Sequence, residues 1–167
     1  MARRKSSKKQ IIKLISVLFA LASLAMIFLP AVKYVIAEKI QDEFTGIMVS
    51  FGYTKTAGIG AFETSTKYLE FSLLSLLPYL LTIIPLVLIL TISSKKKVVT
   101  NFIIFALLIA SAVLFFFAPS FVVSAKILNT ELPIYAKENF SLAIGSILSG
   151  VFSAISGLVF LFGMLKN

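Results

Sequence analysis

Hydrophobic residues along the chain gather into four long blocks, Leu14–Val32, Phe71–Ile92, Phe102–Val123 and Phe140–Leu165, none interrupted by a charged side chain except Lys13 and Lys33 at the borders of the first. Each block is close to the ~20 residues that a helix needs to cross a hydrocarbon core of about 30 Å. The pattern therefore predicts an all-α membrane protein: one integral membrane domain over 1–167 built as a bundle of four transmembrane helices. Polar segments separate the blocks: a long loop (33–70), a basic turn (93–101) and a medium loop (124–139).

The long loop has its own pattern. Ile47, Val49, Phe51 and Tyr53 alternate with Met48, Ser50, Gly52 and Thr54. Phe62, Thr64, Thr66 and Tyr68 alternate again beyond Ala57-Gly58-Ile59-Gly60. A period of two suits a half-buried strand, so the favoured reading is a small extracellular β-hairpin, with an irregular loop as the alternative. The two halves of the chain also show similar landmarks. Phe28-Leu29-Pro30 and Phe117-Ala118-Pro119 lie near the ends of the first and third blocks, and Phe71-Ser72-Leu73 and Phe140-Ser141-Leu142 open the second and fourth. A duplicated helical hairpin and chance similarity in an apolar background both fit.

Charge changes the picture by giving the blocks a direction. The N-terminal tail, the 93–101 turn and the C-terminus hold six, three and one Lys/Arg and no acid, whereas all seven Asp/Glu lie in the other two loops. Lys and Arg in short loops mark the cytoplasmic side. Both termini and the turn are expected inside (N-in, C-in), with 33–70 and 124–139 outside. Arg3, Arg4 and Lys5, with Lys95, Lys96 and Lys97, are the expected cytoplasmic anchors, held by anionic headgroups of the bilayer. Tyr34, Tyr53, Tyr68 and Tyr135 fall in or beside the outer loops, as an interfacial aromatic belt would place them. The basic start and Ala20-Leu21-Ala22 resemble a cleavable signal peptide. The apolar run continues well past that point, however, which favours an uncleaved first span.

Composition agrees with lipid as the solvent. The chain is 59% hydrophobic and only 14% charged, with a mean hydropathy of +1.01, against about 25% charge in soluble domains. The net charge of +9 sits where topology signals sit, so no nucleic-acid partner is expected. The chain has no Cys, His or Trp. That removes the usual metal and nucleophile–base residues, and no cofactor, metal site or catalytic residue is expected. Asp42 and Glu43 with Glu38 or Glu63 could meet outside, but neighbouring carboxylates on a polar loop are ordinarily solvated.

Two features inside the blocks bear on packing. Pro78 and Pro85 lie seven apart on one helix face, where each could kink the helix; a gating hinge and plain kinked packing are the two readings. Gly145, Ser149, Ser153 and Gly157 repeat every four residues, a stripe that lets a neighbouring backbone approach closely. That neighbour is either another helix of the chain or a second copy. Bulky residues at Ser149 or Ser153 should be harmful, while Leu148 and Phe160 should tolerate exchange. Other hydroxyls in the blocks, such as Ser75, Thr82, Ser111 and Ser153, could bond back to their own helices.

The layout, with a larger strand-bearing first outer loop, resembles the claudin-type tetraspans. Their Trp…Gly-Leu-Trp…Cys…Cys signature is missing, so the resemblance is of topology and transfers no function. The Lys/Ile/Phe-rich make-up over the whole chain is similar to that of small four-span proteins of low-GC Gram-positive bacteria, which implies a bacterial plasma membrane. No core ionisable group suits coupled transport. The expected role is therefore non-enzymatic association, as an accessory subunit or envelope component with a membrane-protein partner or in a homo-oligomer. The alternative is an oligomeric channel or transporter.

Overall fold

The structure, a computed structural model, describes residues 2–57, 63–91, 98–127 and 132–165. It is mostly helical, and four helices are long and apolar enough to cross a membrane. Along the chain come α1 (Ala2–Ala25), β1 (Pro30–Ile36), β2 (Lys39–Thr45), α2 (Gly46–Phe51), β3 (Tyr53–Ala57) and β4 (Thr64–Leu69). Then follow α3 (Leu73–Thr91), α4 (Val98–Phe116), α5 (Ala118–Phe121), β5 (Phe140–Leu142) and α6 (Ile144–Leu165). The chain divides into two compact units. One takes the residues up to Met26, Leu77–Phe115 and those from Leu148 onward; the other takes Ile27–Leu76 and Phe116–Ile147.

The first unit is helical throughout its described residues. A helix satisfies its backbone groups internally, which is what an apolar surround demands. Val17 and Ala20 of α1, Leu86 and Ile89 of α3, Ile104 and Leu108 of α4, and Phe160 of α6 form its buried centre. Pro78 and Pro85 lie inside α3 and are both fully buried. Phe160, expected on a tolerant face, is 5% exposed and belongs to this core.

The second unit is built on a sheet of order β2-β1-β5, antiparallel throughout. Three sequence boundaries move as a result. The first span was expected to reach Val32. Instead α1 stops at Ala25, a 3₁₀ turn covers Met26–Phe28, and β1 begins at Pro30. Proline disfavours helix at the residue before it and lacks an amide donor. The third span breaks at Phe117, and Pro119 falls within the separate α5. The fourth begins at Ile144, because Phe140–Leu142 pairs with β1 through Tyr34↔Phe140 and Val32↔Leu142. The triplets that suggested a duplicated hairpin thus differ in conformation: Phe140-Ser141-Leu142 is a strand, whereas Phe71-Ser72-Leu73 leads directly into α3.

The hairpin in the long loop is present, but its first arm is shifted. β3 pairs antiparallel with β4 from Tyr53↔Leu69 to Ala57↔Thr64; the expected turn at Gly58–Gly60 lies outside the described residues. Residues 46–51, whose alternation suggested a strand, form α2 instead. Thr45 caps it, its Oγ1 accepting from the Met48 amide at 3.3 Å, which satisfies an otherwise orphan donor. Over six residues the two periods cannot be told apart. Gly52 closes α2 at φ +91°, where a Cβ would stand 2.9 Å from the Leu69 carbonyl oxygen. On its far side β4 is flanked by the segment after α5, with Glu70 N donating to Val123 O and Ala125 N to Tyr68 O, both at 2.9 Å.

Val32, Tyr34, Phe44, Val49, Leu69, Ala118, Val122, Tyr135 and Phe140 form the core of this unit. Two of the four tyrosines expected at a lipid interface are therefore interior. Tyr34 and Tyr135 are buried with their ring centroids 4.6 Å apart, edge to face. Tyr53 and Tyr68 pack against the same cluster half-buried.

Candidate functional site

Within the first unit the chemistry is that of hydroxyls joining helices. Ser23 Oγ donates to the Ser149 carbonyl at 2.8 Å and Ser149 Oγ returns the bond to Ser23 O at 3.0 Å. Ser16 and Ser156 do the same at 2.9 and 2.8 Å, their two Oγ atoms 3.0 Å apart. All four serines are fully buried. α1 and α6 run antiparallel, so the seven residues from Ser16 to Ser23 match the seven from Ser156 back to Ser149. Seven residues are 20° short of two full turns, which keeps both pairs on one seam.

The stripe Gly145–Ser149–Ser153–Gly157 does not face a single neighbour. Positions four apart advance 40° around a helix. A Cβ at Gly145 would meet the Pro30 and Leu29 carbonyl oxygens at 2.6 and 2.9 Å. Ser149 meets α1, as above. Ser153 Oγ donates to Leu108 O of α4 at 2.9 Å, and a Cβ at Gly157 would lie 3.2 Å from Leu108 Cβ. The drift thus moves the stripe from the end of the first span to α1 and then to α4.

A third group ties α4 to α3. Ser111 Oγ lies 2.6 Å from Thr82 Oγ1, and both reach the Pro78 carbonyl, at 2.7 and 3.0 Å. Two hydroxyl protons serve three contacts, so one hydroxyl bonds the carbonyl while the other bonds its neighbour. Of the hydroxyls expected to bond back within their own helices, Thr82 does so, but Ser111 and Ser153 reach across to another helix. In the second unit Ser72 caps the start of α3 through the Ser75 amide, and Ser72 Oγ and Ser75 Oγ both donate to Phe121 O. The accepting carbonyls lie within helices and keep a second lone pair, which lets a buried serine on a neighbouring helix bond to them.

The polar groups of the second unit anchor residues 133–140 to the sheet. Tyr135 Oη donates to Asp42 Oδ2 at 2.9 Å, and the Tyr135 amide donates to Ser124 Oγ at 2.8 Å. Tyr34 Oη accepts from the Ala136 amide and from Asn139 Nδ2 at 3.3 and 3.4 Å. Burial holds the Tyr135 phenol protonated well above the usual tyrosine range, with the hydrogen bond to Asp42 and the charge of Asp42 adding to it. Asp42 and Glu43 are successive residues of β2, opposite Tyr34 and Lys33 in register, so they point to opposite faces of the strand. Glu63 lies just before β4 in the other hairpin. Among the described residues no three acids, histidines or cysteines cluster as metal ligands.

Of the expected anchors, Arg3, Arg4 and Lys5 fall in the first turns of α1, while Lys95, Lys96 and Lys97 lie outside the described residues. Sequence reasoning missed Ser16, Ser23 and Ser156 as packing residues. The signal was available as a matched seven-residue spacing of serines in the first and last spans. No protein-family model matches the chain, and neither the curated proteins nor the solved structures contain a significant match to it.

Proposed function

We propose that this chain is a non-enzymatic, multi-pass protein of a cell membrane, by resemblance a bacterial plasma membrane, that works by association as an accessory subunit or envelope component. The bonding of the buried hydroxyls in the first unit carries the reading; in the second unit the Oγ atoms of Ser50, Ser141 and Ser146 are buried without a hydrogen-bond partner among the described residues. A conducting path or coupled transporter needs polar groups directed into a lumen. In the first unit Ser16, Ser23, Thr82, Ser111, Ser149, Ser153 and Ser156 are all engaged in bonds to other side chains or to backbone carbonyls. Support for a partner comes from the β3–β4 hairpin, where Thr54, Lys55, Thr56, Thr64, Ser65, Thr66 and Lys67 are all exposed. Among the described residues β3 pairs with β4 alone, and an unpaired strand edge is a common docking element.

The partner is a membrane protein or a second copy of this chain, with Arg3, Arg4 and Lys5 set against anionic headgroups on the cytoplasmic side. Affinity purification from gently solubilised membranes tests this. A stable companion or oligomer is expected; recovery as a lone monomer, or solute flux through the reconstituted protein, would overturn it. The orientation is tested separately, in a chain free of background cysteine. Single cysteines at Thr56 and Asn129 should react with an impermeant maleimide on intact cells, and one at Ser94 should not. The reverse pattern would invert the topology.

A further inference from the structure

The short helix α2 is tied at both ends to the ends of membrane spans. At its start the Gly46 amide donates to Leu29 O at 3.4 Å, one residue beyond the first span, which ends at Phe28. At its other end Ser50 O accepts from the Ser72 amide at 3.0 Å, one residue before α3. These two bonds set α2 at the level where the first span ends and the second begins. That is the level at which hydrocarbon gives way to headgroups.

The exposed side of α2 is apolar. Gly46, Val49 and Ser50 face the interior, whereas Ile47 and Phe51, four apart and therefore on one face, are 38% and 57% exposed. The Phe51 ring lies 6.5 Å from that of Phe71, itself 54% exposed. Phe71 leads into Leu73 and Leu74, 62% and 56% exposed at the start of the second span. The apolar surface thus continues from α2 through Phe71 onto the exposed leucines at the start of α3. A helix with one apolar side and aromatic residues at span ends is the arrangement that settles at a headgroup–acyl boundary.

We infer that α2 is an interfacial foot: Ile47, Phe51 and Phe71 insert into the adjoining leaflet, and the second unit rests on the bilayer through them. The occupant of this face is phospholipid, identified by the face's continuity with the surface of the spans. Water is disfavoured by the exposed aromatics, and nothing charged lies within α2.

The chain has no tryptophan, so single tryptophans report without background. Phe51→Trp and Phe71→Trp would each be placed in phosphatidylcholine–phosphatidylglycerol vesicles containing lipid brominated either near the top of the acyl chain or deep within it. Thr56→Trp, on the exposed hairpin, is the water reference, and Ile84→Trp, on the exposed side of α3, is the deep reference. Phe51→Trp and Phe71→Trp should emit to the blue of Thr56→Trp and lose roughly half their intensity to the shallow bromines, as a depth near the acyl boundary requires. Ile84→Trp should respond more to the deep ones. Emission and quenching equal to those of Thr56→Trp would overturn the inference. Blue-shifted emission that bromine at neither depth quenches would also overturn it, by showing that protein covers the face. Two separate aromatic exchanges keep the test decisive should one disturb folding.

Discussion

Ser23 and Ser149 each donate a hydroxyl proton to the other's backbone carbonyl, at 2.8 and 3.0 Å, across a seam with no exposed surface on either residue. Exchange of this kind requires two backbones close enough for a hydroxyl on a single Cβ to span the gap. Leucine at Ser149 would force the helices apart and remove a reciprocal bond, and Ser156→Leu would do the same one repeat away. Each should cost about 2–4 kcal/mol, from overpacking and lost interhelical bonding. Phe162→Leu, at a position 59% exposed, should stay within about 1 kcal/mol of wild type, being an exchange of apolar groups outside the packed seam. Denaturation in detergent measures all three, and equal losses would refute the seam.

Gly145 and Gly157 belong to one stripe but should respond differently to alanine. At Gly145 the added Cβ meets backbone oxygen at 2.6 Å, and a backbone cannot step aside cheaply. At Gly157 the nearest atoms are side chains of α4, beginning at 3.2 Å, and alanine there also gains up to about 1 kcal/mol of helix propensity. Gly145→Ala is expected to destabilise by about 1–3 kcal/mol, as overpacking does, while Gly157→Ala stays near neutral. The same assay decides, and the opposite order would contradict the packing.

The turn between β1 and β2 offers a gain. Ile36 pairs with Lys39, and the two residues between them, Ala37 and Glu38, both have positive φ, 48° and 64°. That is the two-residue hairpin geometry for which Asn-Gly is the preferred pair, and left-handed backbone costs other residues roughly 1–2 kcal/mol each. The double variant Ala37→Asn/Glu38→Gly should therefore raise the unfolding midpoint. A lowered midpoint would contradict the left-handed geometry of this turn.

Tyr135 predicts a pH dependence with a definite sign. Its folded pKa is raised, so between the unfolded value near 10 and the higher folded value the native state holds a proton that the unfolded chain has lost. Stability from this group is complete below about pH 10 and falls as pH rises beyond it. Tyr135→Phe should weaken the protein by about 1 kcal/mol at neutral pH through loss of the bond to Asp42, and should flatten the alkaline fall. Parallel curves for the two proteins above pH ~10 would refute the assignment.

The class of this protein is legible in its residues alone. Four charge-free apolar blocks of the right length leave a helix no alternative in lipid, and that argument needs nothing beyond the residues in each block. The small-residue stripe of α6 is legible there too, because a period of four is local information. Other features had to wait for the tertiary structure, and for one reason. The strand at Phe140–Leu142 is three residues long and pairs with Tyr34 and Val32 more than a hundred positions away, so no window could show it. Residues 46–51 fit both periods until Thr45 as a cap and the ties to Leu29 and Ser72 decided for a helix. The tyrosines Tyr34 and Tyr135 turned inward because the aromatic core assembles from β1, β2, β5 and the loop before β5 together. Which helix each serine of the stripe meets follows from a 40° drift compared with where α1 and α4 stand. Such positions are set by packing, to which every span contributes and none alone specifies.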